Sequence, residues 1–301
     1  MKNQREEDQV FIQRITHRHS RVQRTIKRHI EDKADNMKAL YESIFDVDTD
    51  TIDSDIMTSI EDFLKINYRG KFIISKYPDK DGKYKVSSTT NVYGRWDLAD
   101  QPYLTNGCFK FTTIKGHFAV TNNDELLSLE GGPMIVNGNF CIDSNPLLKT
   151  LKGAPKIVKG DFSCNACTSL ISLEGAPEKV GGYFDCSQCD NLISLKGSPE
   201  KIGGSFLCAE TEIINLEGSP REIPGDFDCS NCRELITLKG GPIRVNKVFD
   251  CNNCYKLRSL EGMPKYIGGD LNANVRSTNN RGFDYEELDE LGVDIKGDIN
   301  L

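Results

Sequence analysis

The sequence predicts an α+β fold: an N-terminal helical region followed by a β-solenoid. Three observations predict it. A Leu-charged-Gly-x-Pro signature recurs at Leu129, Leu151, Leu173, Leu195, Leu216, Leu238 and Leu260, with a period of roughly 22 residues and a single shorter step, from Leu195 to Leu216. A Phe-x-Cys-x-x-Cys-x-x-Leu signature runs in phase with it, on Phe118, Phe140, Phe162, Phe184, Phe206, Phe227 and Phe249, with Leu271 in the same place of the last unit. Ahead of both, over residues 5–46, apolar residues fall at helical spacing.

Residues 5–46 are predicted to form one long helix, with Phe11, Ile15, Val22, Ile26, Ile30, Met37, Leu40 and Ile44 close to a 3.6-residue period or its multiples. Its first half is basic, through Arg14, Arg18, Arg21, Arg24, Lys27 and Arg28. The stretch from Asp46 to Asp62 is acidic, and a second helix is expected over 56–64. The region 1–66 therefore reads as a docking element. Lys71–Ile74 and Tyr84–Val86, joined by Pro78-Asp79-Lys80-Asp81-Gly82, read as a hairpin. Residues 67–117 then form a β-rich cap whose last part, 92–117, is a degenerate first coil, with Trp96 lying one repeat period before Phe118 and Leu104 and Ile114 in phase with Leu192 and Ile202. The solenoid proper covers 118–276, and the acidic tail 277–301 is expected to cap its far end.

One unit shows how a coil is made. In Val180-Gly181-Gly182-Tyr183-Phe184-Asp185-Cys186, Phe184 and Cys186 share one face of a strand. Gly-Gly before them and Gly-x-Pro after the last leucine are turn signals. Such a coil cannot bury its own apolar side, but stacking equal coils does, and it aligns like residues in columns. The charged residue of the leucine signature alternates in sign at every step: Glu130, Lys152, Glu174, Lys196, Glu217, Lys239, Glu261. Stacked, this column neutralises itself and favours one registration of coil on coil, each exposed pair contributing about 0.2–1 kcal/mol.

The pattern Cys189, Leu192, Leu195, Pro199, Ile202, Gly203, Phe206 resembles the leucine-rich repeats of the BspA-like, treponemal type. The run from Gly175, Ala176 and Pro177 to Cys186 is similar to uncharacterised repeat proteins of large tailed bacteriophages. The resemblance covers about half of the chain and implies a leucine-rich-repeat-like solenoid. For function it implies a scaffold that engages a host or defence factor, or a structural part of a virion.

Eleven cysteines, an odd number, include four Cys-x-x-Cys pairs: Cys164/Cys167, Cys186/Cys189, Cys229/Cys232 and Cys251/Cys254. Two pairs on adjacent coils could hold zinc or an iron–sulfur cluster. The preferred reading is a buried structural column, because Val120, Ile142 and Ala273 share the first cysteine position and Asn123 and Asn145 the second. No metal and no cofactor is therefore expected. The residues flanking each Phe form an outward stripe: Asp161, Tyr183, Asp185, Leu207, Asp226, Asp228, Asp250 and Asp270, with Val248. Unlike the alternating column it does not neutralise itself, and it suits a basic partner surface. Nucleic acid is a weaker expectation, through the basic helix or through imitation of DNA by the aspartates. Self-association or assembly through the N-terminal helix is a further one. No Ser/His/Asp set, phosphate loop or His-Glu-x-x-His occurs, so an enzyme is not expected. The net charge of −7 argues against whole-protein attraction to nucleic acid or anionic membrane. Without an apolar leader or an 18-residue apolar run, the expected location is the host cytoplasm, or a virion.

Overall fold

A computed structural model describes residues 49–94, 108–275 and 282–301, with side chains from residue 57 onward. The basic helix predicted over 5–46, with Arg14, Arg18, Arg21, Arg24, Lys27 and Arg28, lies outside the described residues, as do Trp96 and Leu104. The chain divides into two compact units, Met1–Ile66 and Asn67–Leu301. What is described of the first is a helix, α1 (Thr49–Asn67), longer than the 56–64 expected. Ile60 and Leu64, one turn apart, are its buried apolar side chains, and Lys65 pairs with Glu61 one turn back.

The second unit is a parallel β-solenoid of about eight turns. Each coil contributes two-residue strands to two ladders. The first ladder carries the phenylalanines, in register from Phe118 through Phe140, Phe162, Phe184, Phe206 and Phe227 to Phe249 and Leu271. Phe and Cys alternate inward on a strand, as the period of two requires, so the rings stack directly over one another. Neighbouring centroids lie 4.9–5.5 Å apart with interplanar angles of 3–15°. All seven rings are fully buried, and truncating one to alanine would cost roughly 3–5 kcal/mol. The second ladder carries Val136, Val158, Val180 and Ile202, then Ile223, Val245 and Ile267. It splits between Ile202 and Ile223 into sheets of 7 and 4 strands, while the phenylalanine sheet runs unbroken through 11.

The split has a local cause. Gly203 and Asn246 donate their backbone N–H to the carbonyls of Val180 and Ile223, at 2.9 Å each. Pro224 holds the equivalent place above Ile202 and has no N–H to donate. One residue later Gly225 again donates to Gly204. The same coil is the short one, the deletion falling between Thr211 and Ile213.

Two devices close the ends. At the start, Phe72–Ile74 and Tyr84–Ser88 pair antiparallel as the expected hairpin, and Lys110 clamps its turn with Asp79 at 2.5 Å. The Lys110 ammonium holds the Asp79 carboxyl down at about 2. Val92, not Trp96, stands opposite Phe118 in the phenylalanine ladder, so the first coil is longer than the repeats that follow. The longer coil accommodates a six-residue strand, Phe109–Ile114, where the repeats have two. Ile114 does sit in phase, opposite Val136. At the other end a second helix, α2 (Tyr285–Leu291), is capped by Asp284, whose carboxylate accepts from the Glu287 N–H, and by Gly292 in the left-handed region. Beyond it, Asp294–Ile295 and Ile299–Asn300 extend both ladders by one more rung.

Candidate interaction surface

The residue before each phenylalanine builds a ladder of side chain to backbone bonds. Asn91 accepts from the N–H of His117, His117 Nδ1 from Asn139, Asn139 from Asp161 and Asp161 from Tyr183, at 2.8–3.1 Å. Tyr183 cannot accept in this way, and the chain restarts at Ser205 to Asp226 and Asp226 to Val248. Val248 ends it again, and Asp270 accepts from Asp298 at 2.9 Å. Asp161, Asp226 and Asp270 are thus half-buried and each commits one oxygen to holding the next coil.

The residue after each phenylalanine behaves differently. Asp185, Asp228 and Asp250 each fold back to accept from the N–H two residues on, at 2.8–2.9 Å, fixing the turn that follows the strand. Asp228 and Asp250 are direct register partners. Burial pushes the Asp185 and Asp250 carboxyls above the usual carboxylate range. Among the described residues, no lysine, arginine or histidine lies within ion-pair distance of Asp161, Asp185, Asp226, Asp228, Asp250 or Asp270. Tyr183 is exposed and Leu207 half-buried between them. The residues of this stripe fall in two columns, one before and one after the phenylalanines. Its aspartates are not simply outward, however, because each is half-buried and holds a backbone N–H. Asp143, outside the predicted stripe, joins the same network: it accepts from Ser163 and Asn165, and Cys141 donates to it at 3.0 Å.

The cysteines of the four pairs are free and fully enclosed. The first column, Cys164, Cys186, Cys229 and Cys251, continues through Val120, Ile142, Cys208 and Ala273, all buried. The second column is a row of donors. Cys167, Cys189, Cys232 and Cys254 each point Sγ at the carbonyl of Ile142, Cys164, Cys208 and Cys229 on the preceding coil, at 3.2–3.3 Å. Asn145 donates to Val120 in the same manner, and Thr211, at the cysteine place of the short coil, donates to Cys208. Burial holds the Cys167 and Cys232 thiols up at about 12, so they stay protonated and able to donate. A metal would have to break these bonds and take those protons. Among the described residues no group of three or more His, Cys, Asp or Glu side chains is arranged to hold a metal ion.

The alternating column is exposed as expected, but only Lys196 and Glu174 close to ion-pair distance, at 3.7 Å. A second intercoil pair, Lys256 with Glu234, was not foreseen. No helix among the described residues is long and apolar enough to cross a membrane. Comparison with protein-family models, curated proteins and solved structures returned no match.

Proposed function

We propose that the chain is a non-catalytic interaction scaffold whose phenylalanine-ladder face binds a basic surface on a protein partner. One observation carries this: the flanking aspartates stack in register, Asp228 on Asp250, with no cation among the described residues to neutralise them. Like charges directly opposite destabilise a sheet, and the Glu/Lys column of the same coils shows that the repeat can avoid them by alternation. A partner's lysines and arginines would relieve that repulsion, with Tyr183 and Leu207 as apolar contacts beside the carboxylates. The leucine-rich-repeat type of the coil, and a host or defence factor as the partner, belong to the same reading and rest on the sequence resemblance.

The test is a nona-arginine peptide titrated against the full chain by fluorescence anisotropy. Its affinity should fall steeply with salt, and about tenfold or more in the triple variant Asp228→Asn/Asp250→Asn/Asp270→Asn. Asparagine keeps the oxygen that accepts the backbone N–H, so folding should survive. Equal binding by variant and wild type would place the cation site elsewhere and end this reading.

A further inference from the structure

The residue after the first inner leucine of each coil, or after Ile213 in the short one, forms a column that the strand face does not include. On four consecutive coils it is isoleucine: Ile171, Ile193, Ile214 and Ile236. Their exposures are 56, 58, 49 and 54%, the most open run of large apolar side chains among the repeats. Backbone bonds from Ile193 to Ile171 and from Ile236 to Ile214 stack them on adjacent coils. Lys149 and Arg258 end the column on either side. The result is a continuous apolar strip of about 400 Å², the size of the largest apolar patch on an ordinary monomer, which is often functional. Three residues further along every coil, and equally exposed, runs the alternating Glu/Lys column.

We propose that this strip is the face through which two copies of the chain associate, antiparallel, about a two-fold axis between Ile193 and Ile214. A two-fold lying in the face and across the stack lays each column on itself with the order of coils reversed. Ile193 then meets Ile214 of the partner subunit, and Ile171 meets Ile236 of the partner subunit, so all four isoleucines are covered. The same axis sets Lys196 against Glu217 of the partner subunit, Glu174 against Lys239 of the partner subunit, and Lys152 against Glu261 of the partner subunit. Every facing pair in the charged column is opposite in sign. A shift of one coil in either direction uncovers isoleucine and turns every charged pair into a like pair. A two-fold along the stack puts the charged columns on opposite sides of the strip and matches nothing. Two columns thus select one arrangement. The single poor match, Lys149 with Arg258 of the partner subunit, lies at the rim, where long side chains turn to water. The strip with its charged border approaches the ~800 Å² per partner of an ordinary specific interface.

The experiment is sedimentation equilibrium of the full chain. A dimer is expected at about 10–100 μM chain; a monomer throughout that range overturns the proposal. Ile193→Glu should abolish the dimer while leaving the melting temperature of the dilute monomer in place, since the side chain is exposed; a dimer that persists in Ile193→Glu is held elsewhere and also overturns it. The arrangement is tested by charge exchange. Lys152→Glu and Glu261→Lys should each weaken association about tenfold, and the double variant should restore it. Within one chain these two residues are five coils apart, roughly 24 Å, so rescue must come from the partner subunit. No rescue overturns the antiparallel arrangement. Loss of the dimer leaves the aspartate face untouched, so the peptide titration above is scored independently of it.

Discussion

At the residue scale, two backbone positions in each coil lie in the left-handed region, and the sequence treats them differently. The glycine of Leu-charged-Gly has φ of 82–99° in every coil from Gly131 to Gly262. A Cβ on Gly175 would fall 2.5 Å from the Lys152 nitrogen, so conformation and space both demand glycine. The residue before the second cysteine position has φ of 55–60° yet is Ser144, Ala166, Gln188 or Glu210 in four coils. Gly175→Ala should lower stability by about 2–4 kcal/mol, whereas Gln188→Gly should raise it by roughly 0.5–1 kcal/mol. Urea denaturation of both variants checks the contrast, which fails if the two move in the same direction. Asp250 supplies a pH test. Its folded carboxyl is raised above the unfolded value by burial, so its ionisation penalises the fold. Its contribution is full below the ordinary carboxylate range and is lost as pH rises through the raised value. Asp250→Asn should therefore gain stability at pH 7, by about 0.2–1 kcal/mol, and none at pH 3. A gain of equal size at both would refute the charge as its source.

At the element scale, coil length is what the sequence states most plainly, and departures from it mark the irregular elements. The first coil and the last rung, where Ile299 stands opposite Leu271, escape a search at the repeat period because each carries an insertion: a longer strand in one, α2 in the other. The break in the second ladder is a property of Pro224 rather than of the short step, since the phenylalanine ladder crosses that step in register. Pro224→Gly should make the amide of residue 224 slow to exchange with deuterium, as an N–H now bonded to the Ile202 carbonyl. Exchange as fast as in exposed turns would show that the coil length, not the proline, parts the sheets. The cysteine columns were legible by substitution logic: valine and asparagine in the same columns already argue for packing and donation. What they donate to was not legible, because the acceptor carbonyl lies on the preceding coil, more than a full repeat back along the chain.

At the scale of the whole molecule, a solenoid is stable only while both open ends are covered. The tail covers one: Leu271 and Ala273 donate their N–H groups to Asp298 and Asn300, Glu287 accepts from Leu260, and Lys265 reaches the Leu291 carbonyl. Removing 282–301 exposes two parallel strand edges and the last rung of the core. The expected outcome is a melting temperature lower by roughly 5 °C or more and large aggregates in light scattering. A truncated chain as stable and monodisperse as the full one would show that the tail is an appendage rather than a cap.

The repeat period, the inward Phe and Cys, the glycine turns and the hairpin could be read from the sequence alone. Each follows from local geometry repeated at fixed spacing: the two-residue alternation of a strand, and the turn conformations that glycine permits. Which neighbour each side chain would meet one coil away was decided only in the tertiary structure. Asp161 looks outward by alternation and is instead drawn half inside by an N–H on the next coil; Ile193 reads as one more apolar residue beside a core leucine and is instead left in water. Both outcomes depend on how coil lies upon coil, a relation between residues a whole repeat apart that local pattern does not encode.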